Sequence, residues 1–303
     1  MPELPEVETI RRGLEPTAVG QTVVDVTAEE CKIFKVNPAQ LLENLPGQRI
    51  NELDRRGKFL IVYLDRHYLL FHFGMTGQLT FRHPDRPDSE GFHRHPVTGL
   101  QRTFQHAPDR HTHLQIHLEG GGALLFRDIR KFGKVFLFEK GKNVLRDFFR
   151  RLGLEPFSSS YNLPAFLEGF QNRKLRIKSL LLDQRFVAGI GNIYADEALF
   201  QAGIHPARTV RSLRLWEKES LFEAISQVLK EGIEHGGTSL RDYVQSDGEM
   251  GSHQENLRVY GQAGEPCYRC ETRIQKIVMS QRGTHFCSTC QPRSGHRRAQ
   301  VGT

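Results

Sequence analysis

The sequence predicts an α+β protein in which strands come first and helices second, and three observations carry that prediction. Short apolar runs at near period two fill the first half, the spacing turns helical after about residue 155, and four of the five cysteines form two CxxC pairs near the end. A chain of 303 residues suits roughly two domains. Its 38% hydrophobic and 25% charged residues are those of a folded globular protein, which excludes collagen, coiled-coil and low-complexity classes. No apolar run approaches the roughly 20 residues that span a bilayer. The acidic opening MPELPEVETI also lacks the basic start of a signal peptide, so the expectation is a cytoplasmic chain with no membrane partner.

A helix opens the chain. Pro5 suits a first helical position, Glu6 and Glu8 lie near the positive end of the helix dipole, and the pattern fades by Gly13 and Pro16. From Thr22 to Phe138 the runs TVVDV, KFLIVYL, YLLFHF, GQLTF, HLQIHL, ALLF and KVFLF alternate with turn residues such as DRH and EGGG, the pattern of an antiparallel sandwich or barrel. After LGLEPFSSS at 152–160, the segments PAFLEGF, RIKSLLLDQ, NIYADEALFQA and LRLWEKESLFEAISQVLKEGI have helical spacing. The tail from about residue 260 is too short to own a core. The expected domains are therefore 1–155, 156–259 and 260–292. Residues 82–113, with His83, His93, His95, His106, His111 and His113, fit neither pattern. They read as a mobile, solvent-exposed loop whose Pro84, Pro87, Pro96 and Pro108 interrupt pairing, in preference to a histidine metal site.

Two features carry chemistry. Cys267 and Cys270, then Cys287 and Cys290, are two knuckles whose four thiolates suit one tetrahedral zinc ion; with no open position for water, that metal folds the tail and takes no part in catalysis. Arg273, Lys276 and Arg282 lie between the knuckles, and the net charge of +7 favours a polyanionic partner. The other feature is the start itself. Methionine before proline is normally excised, which exposes the secondary amine of Pro2, a nucleophile able to form an iminium with a sugar's anomeric carbon. Glu3 and Glu6 lie beside it in the chain and offer a carboxylate for proton transfer.

MPELPEVETIRRGL resembles the opening of bacterial formamidopyrimidine-DNA glycosylases, and the likeness continues in order through RRGKFL at 55–60, HFGMTG at 72–77, DIRKFG at 128–133, GIGNIYADEALFQAGIHP at 189–206, GGTSLRDYVQSDG at 236–248 and the knuckles. The resemblance implies an N-terminal β-sandwich with a leading helix, a central helix-two-turns-helix domain and a C-terminal zinc finger. It implies a catalytic group of Pro2 as nucleophile, Glu3 as general acid/base, and Lys58 and Arg282 on the phosphates beside the lesion. Glu6 supports the site, and His72, Lys178 and Asn192 touch the DNA backbone. A base inside a duplex is out of reach until it is flipped out, and Met75, Arg130 and Phe132 match the family's residues that fill the gap. Tyr243 begins a segment, to Gln254, that resembles the loop closing over oxidised guanine.

The function implied is base-excision repair: a monomeric DNA glycosylase with AP lyase activity acts on double-stranded DNA with oxidised bases or abasic sites. It excises 8-oxoguanine and formamidopyrimidines through a proline Schiff base and β,δ-elimination, in the bacterial cytoplasm and at the nucleoid, with one structural zinc as its sole cofactor. Two alternatives differ in class. An endonuclease VIII-type enzyme on oxidised pyrimidines tends to carry Gly where this chain has Leu4; a non-catalytic zinc-finger DNA-binding protein gives no reason to keep a processed proline beside Glu3.

Overall fold

The computed structural model describes residues 1–85, 90–94, 101–105, 108–239 and 243–294, the two five-residue stretches by their backbone alone. Its contacts divide the chain into two units, residues 1–150 with 232–254, and residues 151–231 with the chain from 255 on. The expected three domains differ from this, since the first boundary falls after residue 150, residues 232–254 return to the N-terminal unit, and the cysteine-paired segment shares a unit with the helices instead of standing alone.

The first unit opens with α1 (Leu4–Ala18). This helix runs through Gly13 and Pro16, where the sequence pattern faded, because Val7, Ile10, Leu14 and Ala18 recur at helical spacing and each is at most 1% exposed. Burial of that stripe outweighs the one backbone bond that Pro16 cannot donate in the last turn. There follow β1 (Val23–Ala28), α2 (Pro38–Asn44), β2 (Ile50–Arg56), β3 (Phe59–Leu64), β4 (His67–His72), β5 (Gly77–Arg82), β6 (Glu90–Arg94), β7 (Gln101–Gln105), β8 (Thr112–Leu118), β9 (Ala123–Asp128), β10 (Lys134–Glu139) and α3 (Val144–Phe149). Two four-stranded antiparallel sheets form, in the orders β1-β8-β9-β5 and β10-β4-β3-β2. Leu79, Ile116, Leu124 and Phe126 of the first sheet and Leu60, Val62, Leu69 and Phe71 of the second join α1 in one core, the sandwich that the runs imply.

The histidine-rich stretch contains a hairpin. β6 and β7 pair from Glu90↔Gln105 to Arg94↔Gln101, so pairing is not interrupted as expected; neither strand holds a proline, and Pro84 and Pro108 lie to either side. His95, His106, Pro87, Pro96 and the expected mobility of the loop fall outside the described residues.

The second unit holds α4 (Leu163–Glu168), α5 (Ile177–Leu182), α6 (Asn192–Gln201) and most of α7 (Leu215–Glu234), then the hairpin of β11 (Gln275–Met279) and β12 (Arg282–Phe286). Asn162 caps α4 by accepting the Ala165 amide at 3.1 Å. Tyr161, Phe166, Phe170, Phe186 and Phe222 pack ring against ring beside it. α6 is buried all round, from Ile193 to Phe200, including Asp196 and Glu197. Ser280 and Gln281 both take positive φ, 48° and 59°, which gives the tight turn whose twist matches a hairpin.

Leu14→Ala is expected to cost about 2–5 kcal/mol, read as a lower urea midpoint at unchanged m-value. A loss below about 1 kcal/mol would mean that the sandwich core does not hold the leading helix.

Candidate active site

Met1 is 42% exposed whereas Pro2 and Glu3 are buried, so the chain passes from solvent into a protected setting at Pro2. Glu6 organises that setting. Its Oε2 accepts the Glu3 amide at 2.8 Å, closing a capping box at the helix start, and its Oε1 accepts the Thr238 amide at 2.8 Å. Thr238 reaches Glu6 because Gly236 and Gly237 take φ of 69° and 81°; a Cβ on Gly237 would lie 3.0 Å from Glu6 Cγ. Tyr243, expected among the DNA-contacting residues, is instead 6% exposed in the sandwich core. Its hydroxyl donates to the Gly236 carbonyl at 3.1 Å, bracing the Gly-Gly turn from inside.

Lys58 and His72 meet on the second sheet, because the register sets Phe59, the residue after Lys58, opposite His72, and Lys134 opposite His72 on its other side. Burial, with the ammonium groups of Lys58 and Lys134, pushes the His72 imidazole down to about 4. The ring is therefore neutral near pH 7, its Nδ1 accepting the Gly74 amide at 3.2 Å and its face against Phe59 at 4.8 Å between centroids.

Met75, Arg130 and Phe132 stand together on the surface of the same unit. Arg130 Nη1 lies 3.3 Å from Met75 Sδ, and its guanidinium lies over the Phe132 ring at 4.7 Å. Met75 and Phe132 are 39% and 45% exposed, unusual for large apolar side chains with a core at hand.

In the second unit, Lys178, Asn192 and Arg282 converge on one hairpin. Gly283, the neighbour of Arg282, accepts from Lys178 Nζ at 3.1 Å and from Asn192 Nδ2 at 2.9 Å. Arg282 itself is exposed. Lys178 is 2% exposed, its ammonium 2.6 Å from Asp196 Oδ1 and 2.8 Å from Thr284 Oγ1, so in this structure it is an internal strut under the hairpin. Asp196 Oδ2 also accepts the His285 amide at 2.9 Å, and Glu197 accepts the amides of Arg258, Val259 and Tyr260. Desolvation raises the Glu197 carboxyl above its ordinary value.

The four cysteine sulfurs lie within 4.8 Å of one another, with Cys267–Cys290, Cys270–Cys287 and Cys270–Cys290 at 3.8, 3.5 and 3.4 Å. A tetrahedron with Zn–S of about 2.3 Å has edges near 3.8 Å, so the donor set fits zinc. Amides of Arg269 and Cys290 point at Cys267 and Cys287 sulfurs from 3.4 Å, the charge-stabilising arrangement of a thiolate knuckle. This is the sole such cluster among the described residues, and it carries one structural zinc.

Sequence reasoning passed over four residues that build the site: Thr238, Asp128, Asp196 and Glu197. The Gly-Gly pair before Thr238 and the acidic doublet inside the apolar segment NIYADEALF were their visible signals. Asp128, wholly buried, has both carboxylate oxygens on the loops that bear Met75 and Phe132.

An N-terminal sandwich whose first residues are buried, helices that hold a basic hairpin and a four-thiolate finger together define a class of zinc-containing nucleic-acid enzyme. Residues 1–135 match the family model described as formamidopyrimidine-DNA glycosylase N-terminal domain, 152–244 that enzyme's H2TH domain, and 264–293 the zinc finger found in FPG and IleRS. A formamidopyrimidine-DNA glycosylase of Bacillus cereus is 40% identical over 97% of this chain and all of its own length. Two solved structures of Lactococcus lactis relatives, one with Fapy-dG DNA and one with abasic-site DNA, superpose with TM-scores of 0.84 and 0.83. They are 36% and 35% identical, over 96% of this chain and 100% and 99% of theirs. The chain belongs to the formamidopyrimidine-DNA glycosylase family.

Because the folded His72 titrates near 4 and the unfolded one near 6.5, its stabilising contribution is whole above pH 6.5 and is lost as pH falls toward 4. His72→Gln is expected to remove on the order of 2 kcal/mol of the stability lost between pH 7 and 5 in urea unfolding; an unchanged pH slope would show that the ring titrates normally. Cys287→Ser is expected to take zinc content from one per chain to none and to unfold the finger alone, and zinc retained at full stoichiometry would refute the four-thiolate site.

Proposed function

We propose that this chain is a base-excision repair DNA glycosylase with AP lyase activity on oxidised purines, 8-oxoguanine and formamidopyrimidines, in duplex DNA. The observation that carries the reading is the buried Pro2–Glu3 start, fixed by a Glu6 whose two oxygens each accept a backbone amide. With Met1 removed, the Pro2 nitrogen attacks the anomeric carbon of the damaged nucleoside; the C–N bond to the base breaks, and the base leaves with a proton supplied from the site. The Pro2 nitrogen then gives up its proton and the sugar ring opens, the C1′–O4′ bond breaking as O4′ takes a proton, to leave an iminium at C1′; this acidifies the C2′ proton, whose removal expels the 3′ phosphate, and a second elimination expels the 5′ phosphate and leaves a gap. Glu3 handles the protons, for it is the chain neighbour of the amine and is 2% exposed, where a carboxyl is shielded from water.

The other residues hold the DNA. Met75, Arg130 and Phe132 occupy the space vacated by the flipped nucleotide, an apolar wedge and a ring replacing lost stacking while the guanidinium meets the orphaned base. Lys58 and Arg282 take phosphates beside the lesion, Asn192 takes another, and Lys178 acts through the hairpin that it supports. The neutral His72 contacts backbone as a hydrogen-bonding group, not as a charge. Leu4 and the Met75, Arg130 and Phe132 set favour the purine branch over oxidised pyrimidines. No helix is long and apolar enough to cross a membrane among the described residues. The reading sets the protein's work in the bacterial cytoplasm, at the nucleoid.

Borohydride trapping on duplexes that each carry one defined lesion is expected to link the sugar to Pro2. Pro2→Gly, or a tag that blocks the N-terminus, should lower excision by more than about 10²-fold with DNA affinity nearly intact, and Glu3→Gln should do likewise. Wild-type turnover from a blocked protein would rule out Pro2 as the nucleophile.

A further inference from the structure

Met75 lies in the turn between β4 and β5, whereas Arg130 and Phe132 lie in the loop between β9 and β10, yet the three side chains touch one another. One buried group links the two segments. The Thr76 hydroxyl donates to Asp128 Oδ1 at 2.5 Å and accepts the Arg130 amide at 3.1 Å. Asp128 Oδ1 accepts the same Arg130 amide at 3.2 Å, and Oδ2 accepts the Gly133 amide at 2.7 Å. The carboxylate thus grips the loop on both sides of Phe132 and the turn one residue beyond Met75.

The base of this grip is itself anchored. The Asp128 amide donates to the His111 carbonyl at 2.9 Å, and its carbonyl lies 3.1 Å from His113 Nε2. Two backbone features show that the segments are fitted to each other. Gly74 has φ of 59°, and a Cβ there would come within 2.5 Å of the Phe132 carbonyl carbon; Lys131, between Arg130 and Phe132, holds the left-handed region at 55°. Asp128 is wholly buried and has no ion-pair partner among the described residues. A carboxylate taken out of water without a cation is costly, and here its compensation comes from a hydroxyl and amides of the two segments that it joins.

We propose that Asp128, through the Thr76 hydroxyl, is a positioning residue that sets Met75, Arg130 and Phe132 in one fixed arrangement, so that they enter the duplex together as the lesion leaves it. This rests on the excision function proposed above. Pre-assembly removes the ordering of three long side chains from the extrusion step, which is the step it should accelerate. Cleavage of a preformed abasic site needs no base extruded and should depend on the grip far less.

The test compares Thr76→Val, which keeps shape and loses the hydroxyl, with Thr76→Ser, which keeps the hydroxyl, and with the isosteric Asp128→Asn. Single-turnover excision of 8-oxoguanine from duplex DNA, cleavage of a duplex with a preformed abasic site, and fluorescence of 2-aminopurine opposite the lesion are read for each, alongside the melting temperature. Thr76→Val and Asp128→Asn are expected to lower excision and the fluorescence rise roughly tenfold and abasic-site cleavage by less than about twofold, with Thr76→Ser near wild type. Wild-type excision and fluorescence in Thr76→Val would overturn the proposal. So would an equal fall on both substrates, or melting far below wild type, which would assign the grip to folding alone. A wild-type protein that excises nothing would instead overturn the excision function.

Discussion

Glu6 joins the Glu3 amide to the Thr238 amide, two groups 235 positions apart in the chain that meet on a single carboxylate. Residues ahead of a first helix ordinarily fray unless something ties them down. Helix α1 does part of this by burying Val7, Ile10 and Leu14 in the sandwich core. The helix cannot fix the residues before its own first turn, and there the Glu6 carboxylate takes over. The Gly-Gly turn and the core ring of Tyr243 exist in service of that contact, one letting the backbone approach and the other bracing it.

The second unit solves a different problem with the same chemistry. Its hairpin is short, mostly exposed on β11, and too small to bury a core of its own. Zinc closes one end, and the acidic pair Asp196–Glu197 on α6 holds the other by accepting backbone amides and the Lys178 ammonium. An acidic pair in a helix with no polar face would be a liability in isolation. Here the two carboxylates accept the His285 amide of the finger, the Lys178 ammonium of α5 and the amides of Arg258, Val259 and Tyr260 just ahead of the finger, so the charge specifies where the finger sits.

Much of this was legible in the sequence. Seven apolar runs foretold β1, β3, β4, β5, β8, β9 and β10, and four helical segments foretold α4 to α7, because each has one face or both committed to a core. β2 escaped notice since only Ile50 and Leu53 turn inward and a register shift between Ile50 and Glu52 breaks the alternation on this edge strand. The β6–β7 hairpin escaped because prolines nearby suggested a loop, although none falls within its strands. At the site, residue types pointed to the thiolates and to Pro2, while resemblance pointed to the Met75, Arg130 and Phe132 group. Neither gave Thr238 or the burial of Tyr243 and Lys178, for these depend on which segments return to which unit, a matter of topology that local spacing does not encode.

The return of residues 232–254 to the first unit has a consequence for synthesis. Pro2 leaves the ribosome long before the amide that completes its setting, that of Thr238, which follows the whole of residues 151–231. At about 5–20 residues per second, the emerging sandwich waits several seconds with the Pro2–Glu3 segment unsecured. A product truncated before residue 232 would carry Pro2 but not its seat. That seat is therefore completed late in translation, at a stage when most of the second unit's helices are already in the chain.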